Sequence, residues 1–181
     1  MERSLALIAL FAAFVAALGL IPQLTLGYGV PITAQSLGIM LCGTILGARR
    51  GALAALLFVG LVALGLPLLA GGRGGLGMFA TGSAGYLVGY IFGAFVTGWV
   101  MENLRSLPIG LAAGVSAAIG GIVVVHLCGI LGLMTVLDLG AVEAAIADST
   151  FIPGDFIKVV IAAVITAGLA RSRPASLLSR S

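Results

Sequence analysis

Residues 151–158 read FIPGDFIK and open the last apolar run of the chain, which continues from Val159 to Ala170. Asp155 and Lys158 are three residues apart, a spacing that puts both side chains on one face of a helix. Charged groups beside an apolar span are costly unless they are paired, solvated or used. The stretch therefore predicts a membrane helix that carries an acidic and a basic side chain near its N-terminal end.

The composition predicts that most of the chain lies in a bilayer. Of the 181 residues, 61% are hydrophobic and only 8% are charged, whereas soluble domains carry about 25% charged residues. The net charge of +3 is small and scattered, which argues against a nucleic-acid partner. Cys42 and Cys128 lie in apolar runs without metal-ligand spacing, so we interpret them as small buried hydrophobic residues.

Six apolar runs predict an all-α membrane protein with six transmembrane helices in one domain over residues 1–181. The first run has no convincing signal-peptide cleavage site, so we interpret it as the first transmembrane helix rather than a cleaved signal peptide. The second is short for a span, and the fifth is long enough for one tilted helix. The predicted spans are Leu5–Ile21, Ala34–Leu46, Gly51–Ala70, Leu76–Met101, Ile109–Leu137 and a helix from near Pro153 to just before Arg171.

The distribution of arginine predicts the orientation of these spans. Six spans place both termini on one side, and the excess of basic residues favours the cytoplasm. With the termini inside, only Arg73 lies in an outer loop, and seven arginines lie inside: Arg3, Arg49, Arg50, Arg105, Arg171, Arg173 and Arg180. We expect a ligand pocket where the outer connections meet, which are Pro22–Thr33, Gly71–Gly75 and Asp138–Pro153.

The polar residues near these outer connections leave alternatives open. Asp155 and Lys158 either serve the helix dipole and the interface, or offer one acceptor and one donor to a polar ligand such as a cyclic urea or amide. Arg73 either pairs with a ligand carboxylate or solvates its loop. The uncharged connection Pro22–Thr33 is a candidate lid. Tyr86 either lines a pocket or belongs to an interfacial aromatic belt.

His126 stands alone in the fifth span, without a Cys, Asp or Glu three or four residues away. We therefore expect a packed, neutral, hydrogen-bonded histidine rather than a metal ligand. The chain also lacks a nucleophile elbow, a HExxH pair and a phosphate-binding Walker loop. It is not expected to hydrolyse ATP by itself.

Four segments carry a family resemblance. Residues 30–37 read VPITAQSL, residues 65–67 read GLP before a glycine-rich loop, and residues 82–90 read GSAGYLVGY. Together with FIPGDFIK, they resemble the VPITxQ, GLP, GPTGGYLxGF and PFIPGDxxK elements of the BioY family. These proteins are the biotin-specific substrate-binding subunits (S components) of energy-coupling-factor (ECF) transporters. Residues 82–84 depart from the Pro-Thr-Gly that the family usually has.

The resemblance implies a fold with a pocket near the outer surface that captures biotin with high affinity, without enzymatic activity and without a cofactor or metal. The implied biotin-binding residues are Asp155, Lys158, Arg73, Tyr86, Gln35 and Thr33. The first two would face the ureido ring and Arg73 would bind the valerate carboxylate. The tyrosine would pack near the bicyclic ring, and the last two would contribute from the lid.

The resemblance also implies partners and a location in the bacterial inner membrane. Family members associate with a transmembrane coupling protein and two ATPases, and topple in the membrane to release biotin inside. The stripe of Ala9, Ala13 and Ala17 resembles the docking surface, although ordinary helix packing explains this spacing equally well. The other functions left open are a subunit for another vitamin, an intramembrane enzyme using His126 and Asp155, and a structural subunit.

Overall fold

The computed structural model describes residues 2–25 and 30–180, which are helical apart from loops and one small hairpin. The hairpin pairs β1 (Leu24–Thr25) with β2 (Pro31–Ile32) in antiparallel register. The helices are α1 (Glu2–Leu18), α2 (Gln35–Leu46), α3 (Ala48–Ala63), α4 (Ala84–Asn103), α5 (Ile109–Ala117), α6 (Val125–Val136), α7 (Ala141–Ser149) and α8 (Ile152–Ser172). The predicted all-α class is therefore confirmed.

Helices α5 and α6 form one rod, because a π-helical segment, Ala118–Val124, joins them without a break. This rod, Ile109–Val136, matches the single long helix that the sequence predicts. Among the described residues, three helices are long and apolar enough to cross a membrane: α4, the α5–α6 rod and α8. Helix α2 is a shorter apolar helix, as the short second run predicts.

The outside of the bundle is apolar, as a surface in contact with lipid requires. Every long helix exposes large hydrophobic side chains, among them Leu10, Leu56, Trp99, Leu127 and Val164. Other hydrophobic side chains fill the space between the helices; they include Val15, Ile39, Phe58, Met101 and Ala162. The bundle thus has a buried apolar core and also an apolar outer surface.

The predicted span Gly51–Ala70 was wrong at its end, because α3 stops at Ala63. Gly65 adopts a positive φ of 103° and Pro67 has no backbone N–H to donate, so neither residue continues a helix. The chain from 64 to 75 instead forms a loop, in which Leu69 and Arg73 form an antiparallel bridge.

The predicted start of the fourth span at Leu76 was also wrong. Residues Leu76–Ala80 form a separate 3₁₀ turn, and α4 begins only at Ala84. The Thr81 hydroxyl accepts a hydrogen bond from the Ser83 N–H at 3.3 Å, and such local side-chain contacts compete with helix continuation. The loop between α3 and α4 is therefore much longer than the five residues that the sequence predicts.

The other two predicted outer connections also contain structure. The hairpin lies within the candidate lid Pro22–Thr33, and residues 26–29 of that lid lie outside the described residues. The acidic connection Asp138–Pro153 contains α7, a helix that the sequence analysis did not predict. Val30 beside the hairpin packs in one cluster with Leu133 of α6, Ala144 of α7 and Phe151.

The two termini lie at the other end of the bundle. Arg3 Nη2 donates to the Ala175 carbonyl at 3.0 Å, so α1 begins beside the segment that follows α8. Arg180 Nη2 donates to the Leu104 carbonyl at 3.0 Å, which adds the α4–α5 connection to this end. We call the opposite end, with the hairpin, the 64–83 loop and α7, the loop end.

Helices α4 and α6 approach each other closely at two glycines. A Cβ built on Gly132 would lie 2.5 Å from the Gly85 Cα, and one built on Gly85 would lie 2.8 Å from the Gly132 Cα. Real Cβ atoms do not approach backbone so closely, so only glycine allows this contact. The contact fixes α4 against α6 near the loop end.

We expect Gly132→Ala to destabilise the protein by about 1–3 kcal/mol, because the added methyl group overpacks the α4–α6 contact. The matched control is Gly60→Ala, since nothing lies within 4 Å of a Cβ at that helical position. The control should be neutral or stabilising by about 0.5–1 kcal/mol. Thermal unfolding in detergent measures both, and equal unfolding midpoints for the two variants would contradict the close contact.

Candidate functional site

A cavity that is partly open to solvent lies at the loop end of the bundle. Residues from the hairpin, the 64–83 loop and helices α2, α4, α6 and α8 line it. All six residues named from the sequence are in the lining: Thr33, Gln35, Arg73, Tyr86, Asp155 and Lys158. The structure brings them together; their contact with a ligand stays a prediction.

Asp155 and Lys158 form an ion pair within the first two turns of α8. Lys158 Nζ donates to Asp155 Oδ1 at 2.6 Å and to Ser36 Oγ at 2.9 Å. The Ser36 hydroxyl donates to the same Asp155 oxygen at 3.1 Å. Asp155 lies in the first turn of α8, where the helix dipole favours a carboxylate. The lysine is bound inside the cavity wall, so the interpretation that it only reaches toward the interface is wrong.

His126 connects this pair to a second carboxylate. Its Nε2 lies 2.8 Å from Asp155 Oδ2, and its Nδ1 lies 2.8 Å from both oxygens of Asp148. The Tyr86 hydroxyl donates to Asp148 Oδ1 at 2.7 Å. His126 is packed and hydrogen-bonded, as the sequence analysis expects, but its partners come from α7 and α8. These contacts join six side chains, which we call the polar network: Tyr86, Asp148, His126, Asp155, Lys158 and Ser36.

Sequence reasoning missed three members of the polar network: Ser36, His126 as a partner of Asp155, and Asp148. Helical spacing finds partners only on the same helix, and these contacts join residues 22 to 122 positions apart. The available signal was compositional. Asp148 and His126 are rare ionisable groups beside or within apolar segments, where such groups need partners.

Tyr86 lies between the cavity and the network. Its ring makes edge-to-face contacts with Phe151 and His126, with centroids 5.8 and 6.2 Å away. A Cβ at Gly129 would clash with this ring, so the glycine leaves the space that the tyrosine occupies. The aromatic-belt interpretation of Tyr86 is therefore wrong, because the side chain faces inward and its hydroxyl is bound.

Arg73 reaches the cavity from the 64–83 loop. Its Nε donates to the Ala70 carbonyl at 3.1 Å. Within the described part of the chain, its Nη atoms make no hydrogen bond. Partial burial lowers the pKa of the Arg73 guanidinium from its ordinary value, an effect that Tyr90 opposes. A guanidinium still stays protonated at neutral pH, so the cavity wall offers a positive charge with free donors.

Gln35 lines the cavity, but its amide is fully engaged by the backbone. Nε2 donates to the carbonyls of Val15 and Leu68 at 3.2 and 3.0 Å, and Oε1 accepts from the Ala70 N–H at 3.2 Å. These bonds fasten α1, α2 and the 64–83 loop together at a side chain only 1% exposed. Thr33 Oγ1 accepts from the Gln35 N–H at 3.3 Å, which fixes the turn into α2.

Ser83 is a further lining residue that the sequence analysis did not single out. Its hydroxyl is buried and has no hydrogen-bond partner among the described residues. Buried polar groups usually have partners, so this hydroxyl is available to a ligand. Across residues 2–25 and 30–180, no group of three His, Cys, Asp or Glu side chains is arranged to hold a metal ion.

Comparisons with known proteins agree on one family. The family model described as "BioY family" matches residues 2–175. The chain is similar to a protein of Rhodobacter capsulatus named "Biotin transporter BioY", with 51% identity over 99% of this chain and 100% of the relative. A Rhizobium etli protein of the same name is 56% identical over 90% of each chain.

A solved structure has the same fold. It is described as the S-component for biotin from an ECF-type ABC transporter. The TM-score is 0.89 at 29% identity, over 97% of this chain and 96% of that one.

We expect Gln35→Ala to destabilise the ligand-free protein, because it leaves two carbonyls and one N–H without their partner. Each such loss costs about 1–3 kcal/mol if the group stays buried. Asn103→Ala is the control, since that exposed amide makes one bond within its own helix, to the Trp99 carbonyl. Unfolding in detergent without ligand compares the two. Equal stability would mean that the Gln35 bonds do not hold the loop.

Proposed function

The chain belongs to the BioY family, and on that premise we propose that it captures biotin as the membrane substrate-binding subunit of an ECF-type transporter. The ligand binds in the cavity at the loop end. Biotin is named in the names of both relatives and in the description of the structural neighbour. The cavity supplies groups that suit both ends of biotin.

The Asp155–Lys158 pair is the observation that carries this proposal. A ureido ring presents two N–H donors and one carbonyl acceptor. A carboxylate oxygen accepts from an N–H, and an ammonium donates to a carbonyl. Both groups lie in one cavity wall, at 8% and 14% side-chain exposure, where hydrogen bonds to charged groups are strong. We assign the ureido ring to this pair.

The rest of the cavity suits the rest of the molecule. Arg73 has free guanidinium donors, and a guanidinium can bind a carboxylate through bidentate hydrogen bonds. We therefore assign the valerate carboxylate to Arg73. Tyr86 and Phe151 contribute aromatic walls beside the bicyclic ring. Thr33 lies at the base of the hairpin, and we assign it and Gln35 to the lid side of the site. The proposed mechanism needs no bond-making step and no cofactor.

We place the protein in the bacterial inner membrane as a multi-pass protein with six spans. The spans are α1, α2, α3, α4, the α5–α6 rod and α8. Both termini face the cytoplasm, and the loop end with its cavity faces outward. The adjacent termini fit an even number of spans, and the positive-inside rule supports the orientation.

The transporter partners are a transmembrane coupling protein and ABC-type ATPases, and α1 supplies the docking surface. Ala9, Ala13 and Ala17 are exposed on one face of α1, whereas Ala12 and Val15 are buried on the other. Small residues allow another helix to approach closely in a membrane. The bundle itself does not use this face, which supports the assignment to a partner.

Biotin titration of the purified protein tests the function. We expect Asp155→Asn and Lys158→Ala each to weaken biotin binding by about 10–100-fold, since each removes a charged hydrogen-bond partner worth about 1.5–3 kcal/mol. The control is Arg171→Ala, an exposed arginine at the other end of α8. Unfolding midpoints of the ligand-free variants separate lost binding from lost folding. Absence of binding by the parent at micromolar biotin would contradict the function.

The carboxylate end has its own test. We expect Arg73→Ala to weaken biotin binding by about 10-fold or more, because a charged hydrogen bond is lost. The same variant should bind biotin amide as the parent does, since the amide has no carboxylate to pair. Isothermal titration with both ligands measures the difference. An equal loss of affinity for biotin and for biotin amide would mean that Arg73 does not bind the carboxylate.

A further inference from the structure

His126 lies between two carboxylates, and both of its ring nitrogens face carboxylate oxygens at 2.8 Å. A neutral imidazole has one N–H donor and one lone pair. With a neutral ring, one nitrogen would therefore turn its lone pair toward an oxygen of Asp148 or Asp155. Only the doubly protonated ring donates on both sides while both carboxylates stay ionised.

The charge of the surrounding cluster favours the same state. The groups facing His126 are Asp148 from α7, Asp155 from α8 and, beyond them, the Tyr86 hydroxyl and Lys158. Two carboxylates against one ammonium leave one net negative charge, and an imidazolium brings the sum to zero. His126 is 5% exposed and Asp148 is 2% exposed, and uncompensated charge is costly in such surroundings. The expectation of a neutral histidine therefore does not fit its partners.

We propose that His126 is a buried imidazolium that positions Asp155 for the ligand and makes ligand affinity depend on Asp148 of α7. The ring holds Asp155 Oδ2, so the carboxylate is fixed with Oδ1 toward Ser36 and Lys158. Asp148 holds the opposite nitrogen and thereby sets the angle of the ring. This role in ligand binding rests on the proposed function; the protonation state does not.

Asp148 makes the proposal distinguishable from ordinary packing, because it is absent from the cavity lining. It cannot act on the ligand by direct contact in this arrangement. Asp148 contacts His126 and Tyr86, both of which line the cavity and connect it to the ligand site. An effect through the histidine reaches Asp155, and therefore the ureido end of biotin and not the carboxylate end.

The charge state is tested first, by ¹⁵N NMR of the full-length protein labelled at histidine. The chain contains a single histidine, so the spectrum reports on His126 alone. We expect two protonated nitrogens at neutral pH with and without biotin. One protonated and one unprotonated nitrogen would overturn the imidazolium. This measurement needs no ligand, so its result does not depend on whether the parent binds biotin.

The positioning role is tested with Asp148→Asn, which keeps the shape of the side chain and removes its charge. We expect affinity for biotin and for biotin amide to fall by the same factor, about 10-fold. The control is Asp138→Asn, an exposed acid in the same connection. Its φ of 54° suits asparagine equally well.

A double-mutant comparison completes the test. Asp148→Asn and Asp155→Asn together should weaken biotin binding less than the product of the two single losses, since both act on one interaction. Asp148→Asn with Arg73→Ala should give the product. Parent-like biotin affinity in Asp148→Asn, or independent effects of Asp148 and Asp155, would overturn the positioning role. If the parent binds no biotin, the proposed function fails instead, and that result is separate from the NMR outcome.

Discussion

The polar network from Tyr86 through Asp148, His126 and Asp155 to Lys158 is the constraint on which the loop end of this bundle depends. Its two carboxylates and its histidine are buried, and the Lys158 side chain is 14% exposed, in a protein that has few charges, so each must find a partner within the fold. The partners come from α2, α4, α6, α7 and α8. Satisfying them fixes how these helices meet, and leaves Asp155 and Lys158 in the wall of a cavity.

The remaining architecture supports that arrangement by close packing. Glycines at 85 and 132 bring α4 against α6, which carry Tyr86 and His126. The amide of Gln35 fastens the 64–83 loop to α1 and α2, and so carries Arg73 to the cavity. A rigid apolar scaffold thus presents polar groups on loops and helix ends, the usual division between fold and site.

The sequence predicted those features that depend on residues close together in the chain. Apolar runs predicted the helices, and the spacing of Asp155 and Lys158 predicted that their side chains share one face of α8. It was less informative where contacts are distant. His126 has no acid within one turn of its own helix, so Asp148 and Asp155 could not be assigned to it without the fold. Gly65 and Pro67 could have ended α3 on local grounds, yet hydropathy alone carried the prediction to Ala70. Helix α7 lies in a connection for which the sequence analysis predicted no helix.

The most direct measurement is an experimental structure of the protein with biotin bound. We expect electron density for biotin in the loop-end cavity, with the ureido ring within hydrogen-bond distance of Asp155 and Lys158 and the carboxylate at Arg73. His126 should still contact both Asp148 and Asp155 in that complex. Biotin bound elsewhere, or bound in the reverse orientation with its carboxylate at Lys158, would contradict the assignment of the Asp155–Lys158 pair.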